Sequence, residues 1–216
     1  MNLLRVGLVG TLALGCLAAF PARTAATPLA CPATSATVVG CIWQNVPNSG
    51  NNAGNVPVTL PDAHFLAGAI NYTNNSPFTA AAFLNNPTFT DTSAGFNPNG
   101  SMTDTFIMLV GQIFLNAGNN SFVVGHDDGV VLNIAGIGTV VNAPGPTGFV
   151  NTPFNVSSPS TGLFNFTLQY GECCGAPADL VFAINGSPVG NAPEPASLVL
   201  LGTGLAFAAR RLTKRS

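Results

Sequence analysis

The sequence predicts a mainly β protein, an antiparallel β-sandwich of jelly-roll type with disulfide staples. Three observations lead there. Only 6% of the 216 residues are charged, against about 25% in an average soluble domain, so the Glu and Lys that line helix surfaces are missing. The 24 Gly and 17 Pro imply many turns. Short runs rich in Val, Ile, Phe and Thr recur between clusters of Gly, Pro and Asn, the pattern of short strands joined by tight loops. With 47% hydrophobic residues, the chain can build the core of one medium domain.

Read from the start, residues 1–26 form a signal peptide. Arg5 precedes an apolar run over 6–20 and then small residues, a helix too short for a comfortable membrane span, with cleavage near Ala25 or Ala26. A lipoprotein signal with Cys16 as the lipidated residue is the rival, but Ala13 stands where Leu is usual. Residues 27–190 are the sandwich body, with strands expected over 38–46, 56–60, 64–72, 104–115, 121–124, 130–135, 138–142, 148–156, 162–170 and 179–185. Alternation is clearest in Phe164, Phe166, Leu168 and Tyr170, four apolar side chains on one face with Asn165, Thr167 and Gln169 on the other. One short helix is expected at 77–84, and residues 50–55 form an Asn/Gly-rich loop. Trp43, Tyr72 and Tyr170 read as core or edge packing.

Residues 191–216 close the chain with Pro193-Glu194-Pro195, an apolar run over 196–209 and a basic knot of Arg210, Arg211, Lys214 and Arg215. As a helix, the run would span about 21 Å at 1.5 Å per residue, short of the ~30 Å hydrocarbon core. The basic knot would stay on the cytoplasmic side, so the run suits a transient stop in the membrane during export. The proline pair keeps its own stretch extended and open to a protease.

Once Cys16 leaves with the signal peptide, Cys31, Cys41, Cys173 and Cys174 remain. Four cysteines in an exported chain imply two disulfides with three possible connectivities. Adjacent cysteines make a strained bridge, so the expected pairing joins Cys173 and Cys174 to Cys31 and Cys41. There is no C-x-x-C pair, which argues against zinc.

The charges are segregated. Every base, namely Arg5, Arg23, Arg210, Arg211, Lys214 and Arg215, lies near an end. The body holds Asp62, Asp91, Asp104, Asp127, Asp128, Glu172 and Asp179 and no Lys or Arg, about −7 at neutral pH. Nucleic acid, phosphate ligands and anionic membrane surfaces all need cationic contacts and are poor partners, and no nucleic acid is expected. A divalent cation is the natural one. Within GHDDGV, Asp127 and Asp128 repel each other between two strands with no base to offset them, and hard oxygen ligands suit calcium. The plain alternative is a solvated Asp-Asp-Gly hairpin turn, with Gly129 allowing the sharp reversal and His126 exposed beside it. No nucleophile elbow, zincin helix, phosphate loop or dinucleotide fingerprint occurs, and adjacent carboxylates lack the spacing of a glycosidase pair. A non-enzyme is expected.

Two stretches resemble known families. Pro193-Glu194-Pro195-Ala196-Ser197, the Leu-rich run and the Arg cluster resemble the PEP-CTERM sorting tail. That resemblance implies recognition by an exosortase in a Gram-negative bacterium that makes exopolysaccharide. Over residues 106–184, Gly111-x-Ile113-x-Leu115, Phe122-Val123-Val124, Asp127-Asp128-Gly129-Val130-x-Leu132-x-Ile134-x-Gly136, Val140-Val141, the Phe164 to Tyr170 alternation and Ala178-x-Leu180 resemble the β-sandwich module of the anthrax protective antigen, shared with yeast flocculins. In its lectin members the acidic pair holds a calcium that bridges to sugar hydroxyls, which implies that role for Asp127 and Asp128. The expected function is an exported cell-surface or matrix protein binding glycan through calcium. The alternatives are a structural or adhesive surface protein without a ligand, or, less favoured, a secreted hydrolase.

Overall fold

The computed structural model describes residues 29–190 apart from Asn75. The signal peptide, the sorting tail and the helices expected in them lie outside the described residues. Twelve strands and two single-turn helices follow one another. They are β1 (Val39–Trp43), α1 (Pro47–Gly50), β2 (Ala63–Leu66), β3 (Asn71–Asn74), α2 (Ala80–Phe83), β4 (Phe89–Thr90), β5 (Thr105–Leu115), β6 (Gly118–Asp127), β7 (Gly129–Ile134), β8 (Gly138–Ala143), β9 (Val150–Ser158), β10 (Gly162–Glu172), β11 (Ala178–Ile184) and β12 (Ser187–Pro188).

All pairings are antiparallel, and the strands form two sheets. One runs β4-β2-β1-β5-β10-β7-β8 and the other β12-β11-β6-β9, with β3 also on β11. Between them lies the main core. Ile107, Leu109, Phe166, Leu168, Tyr170, Val130 and Leu132 face inward from the larger sheet. Phe122, Val124, Leu180 and Phe182 meet them from the smaller. The period-two alternation read in β10 is the reason: each strand buries every second side chain. On the outer face of the larger sheet, Cys41, Trp43 and Phe106 form a small second cluster with Cys31 packed on it. Trp43, Tyr72 and Tyr170 are all buried, as expected.

The sandwich and most strands agree with the sequence. The stretch expected as a strand at 56–60 is irregular, and the one expected at 64–72 splits into β2 and β3 around Ala67–Ile70. The expected helix at 77–84 shrinks to α2, because Thr79 caps it with its side chain and leaves the Pro77 segment outside. Cysteine pairing differs. The bridges are Cys31–Cys41 and Cys173–Cys174, not cross-links between the two ends. Cys31 and Cys41 lie against Trp43 and Phe106 on the outer face of the larger sheet, while Cys173 directly follows Glu172 at the end of β10. Among the described residues no helix is long and apolar enough to cross a membrane.

Candidate metal and ligand site

The acidic pair does not sit on a hairpin. β6 ends at Asp127 in the smaller sheet and β7 begins at Gly129 in the larger, so Asp128 bridges the two sheets at one end of the sandwich. Gly129 is glycine for space rather than for turning. A Cβ there would lie 2.1 Å from the Pro144 carbonyl oxygen, which also accepts the Ala53 N–H at 2.8 Å. The peptide bond joining Asp127 to Asp128 is cis.

The pair is also buried, which corrects the picture of a solvated turn. Asp127 is 6% exposed and Asp128 5%. His126, expected outside, is 2% exposed, and its Nδ1 lies 2.6 Å from the Asp128 carbonyl oxygen. A carbonyl only accepts, so Nδ1 carries the proton. Asp128 is held by two backbone donors: Cys173 N–H to Oδ2 at 2.9 Å and Thr147 N–H to Oδ1 at 3.2 Å. The Phe149 backbone hydrogen-bonds to Asp127. The β8–β9 loop, residues 144–149, thus straps over both carboxylates.

Glu172 completes the cluster. One of its carboxylate oxygens lies within 4.8 Å of one from Asp127 and one from Asp128, which are themselves that close, and all three residues are buried. The Tyr170 hydroxyl donates to the Asp127 carbonyl and lies 2.6 Å from Glu172 Oε2, where the protonated carboxyl donates to it, while Oε1 has no hydrogen-bond partner. Burial, opposed in part by the Tyr170 hydrogen bond and aided by the Asp128 and Asp127 charges, pushes Glu172 up to about 9. Burial first, then the Asp128 and Asp179 charges, raises Asp127. Asp179 stands directly across from Asp127 in the β11–β6 ladder, so a fourth acid faces the cluster.

Sequence reasoning placed Asp127 and Asp128 but not Glu172. A signal was present: 172 continues the spacing of Phe164, Phe166, Leu168 and Tyr170, so an acid falls on the inward face of β10. Thr147 and Phe149 had no comparable signal, since a loop's course over its neighbours is not periodic. His64 lies 3.7 Å from the Asp91 carboxylate on the outer face, away from this cluster. Cys173 and Cys174 enter the site directly, Cys173 through its N–H and both through sulfurs near Asp128.

Calcium is the cation that the module's resemblance implies, and the donor set fits it. Three carboxyl groups converge with only oxygen donors, one buried Glu172 oxygen lacks a partner, and the described residues contain no Lys or Arg.

Both ends of this reading meet known proteins. Residues 191–215 match the PEP-CTERM protein-sorting motif. The chain is therefore an exported protein sorted by an exosortase and held at the membrane until processed. No curated protein sequence matches it. Among solved structures, the PA14 domain of the antifreeze protein MpAFP superposes with a TM-score of 0.54 at 22% identity, covering 68% of this chain and 80% of that one. A PA14 sugar-binding domain from an RTX adhesin gives 0.50 at 20% identity, covering 69% and 90%. The body has the PA14 β-sandwich fold.

Proposed function

We propose that the sandwich is a calcium-dependent glycan-binding module that places this exported protein on extracellular polysaccharide. The carrying observation is the convergence of Asp127, Asp128 and Glu172, buried together with one unpartnered oxygen and without a protein cation. Like charges at this spacing are unfavourable unless protons or a cation offset them. Calcium, when bound, supplies that charge and open coordination positions for neighbouring sugar hydroxyls. Asp127 and Asp128 are the ligands, and Glu172 backs them from the β10 end. Thr147 and Cys173 hold the Asp128 carboxylate by their N–H groups, so its direction is fixed before anything binds. Phe149, 53% exposed, offers an apolar face beside the pair on which a sugar ring can lie. The reading accords with the sugar binding named for the RTX adhesin's domain.

The test is retention of the purified protein on immobilised polysaccharides and on an array of defined glycans, with calcium and then with chelator. Retention that chelator reverses, and that Asp127→Asn with Asp128→Asn abolishes, is the expected result. Retention indifferent to chelator, or none on any glycan, overturns the reading in favour of a structural or adhesive surface protein without a ligand.

A further inference from the structure

The vicinal bridge sits on the acidic site. Cys173 follows Glu172 directly, is buried, and gives its N–H to Asp128 Oδ2 at 2.9 Å. Cys174 is exposed. The two sulfurs and an Asp128 carboxylate oxygen lie within 4.8 Å of one another. Asp128 therefore lies both in the group of three carboxyls and against the bridged sulfurs, which become donors only when the bridge is reduced.

We propose that Cys173, Cys174 and Asp128 form, once the bridge is reduced, a second metal site for a thiophilic divalent cation of the zinc and cadmium class. An external dithiol is the reductant. It gives up two electrons and two protons and closes its own S–S bond, while the Cys173–Cys174 bond breaks and each Sγ takes a proton. The exposed Cys174 is where the dithiol attacks. Binding the cation then releases those two protons to solvent as two metal–thiolate bonds form. Thiolates prefer soft cations and carboxylates hard ones, so the oxidised form keeps the oxygen-only site and the reduced form adds a sulfur site at its edge. Because both sites share Asp128, the two cations compete. Only that competition rests on the calcium reading.

Cadmium is the probe, because thiolate ligation gives an ultraviolet charge-transfer band. The purified protein is titrated with cadmium before and after treatment with a dithiol, the reductant then being removed under anaerobic conditions. The expected result is a band only in the reduced protein, saturating at one cadmium per chain. It is lost in Cys173→Ser with Cys174→Ser and kept in Cys31→Ser with Cys41→Ser. Calcium should shift the titration to higher cadmium. A reduced protein without the band, or a band that survives the Cys173 and Cys174 substitutions, overturns the proposal. Circular dichroism on each variant shows that the fold persists. Calorimetric titration of the oxidised protein with calcium separates the two readings. Calcium binding without the cadmium band removes only the thiol site, and the band without calcium binding removes only the calcium site.

Discussion

Glu172 is the residue on which the electrostatics of the site turn. In the unfolded chain its carboxyl releases its proton near 4.5, whereas in the fold it holds it up to about 9, chiefly because it is buried. Between those values the folded state binds one proton more than the unfolded state. The stabilisation this proton confers is complete below about 4.5 and lost as pH rises toward about 9. In chelator, the thermal midpoint should therefore fall over that window. Glu172→Gln, which cannot ionise, should flatten the fall, so that the variant overtakes the wild type on the alkaline side. A wild-type midpoint that rises across the same window would refute the account. The residue was legible in principle, because the strand that carries it alternates cleanly. It was hidden because an acid directly after an apolar run equally suits a solvated strand end.

At the scale of elements, the acidic pair is a junction between sheets, and this explains both what the sequence revealed and what it withheld. Strand existence was legible because burial of alternate side chains writes a period of two into Phe164 to Tyr170 and Val130 to Ile134. Sheet membership was not, since β6 and β7 would show the same pattern whether they paired as a hairpin or separated into two layers. The cysteine pairing was missed for a related reason: chemistry disfavours adjacent bridges in general, and only the fold shows that Cys31 comes back to Cys41 within its own segment. Gly129 tests the junction. A methyl group there collides with the Pro144 carbonyl, and moving Pro144 shifts the loop that carries Thr147 and Phe149. Gly129→Ala should cost about 1–3 kcal/mol of stability, the usual penalty for overpacking. It should also weaken calcium binding by more than that loss explains. Denaturant unfolding alongside calcium titration separates the two effects, and an Ala variant with native stability and native calcium binding would show that the loop is not positioned by this contact.

For the whole molecule, the governing fact is a sandwich with seven acids and no Lys or Arg, whose end carries three of those acids buried together. Diffuse surface charge and a specific site make different demands on salt. Surface repulsion is relieved by any electrolyte, since exposed charges are screened over about 8–10 Å at ordinary ionic strength. Buried carboxylates at the sheet junction are screened far less and respond to an ion that enters among them. Sodium chloride should therefore raise the thermal midpoint slightly. Calcium at the same ionic strength should raise it further and saturate. A cation present at a hundred times its Kd and bound only to the folded state adds about 2.7 kcal/mol. For a body of this size that corresponds to roughly 5–11 °C, at about 2–4 °C per kcal/mol. Asp127→Asn with Asp128→Asn should keep the sodium response and lose the calcium increment. If calcium and sodium act alike at matched ionic strength, the three carboxylates are offset by protons alone. The junction would then serve the fold and not a ligand, leaving the sorting tail to account for where the protein goes and the sandwich only for what it is built from.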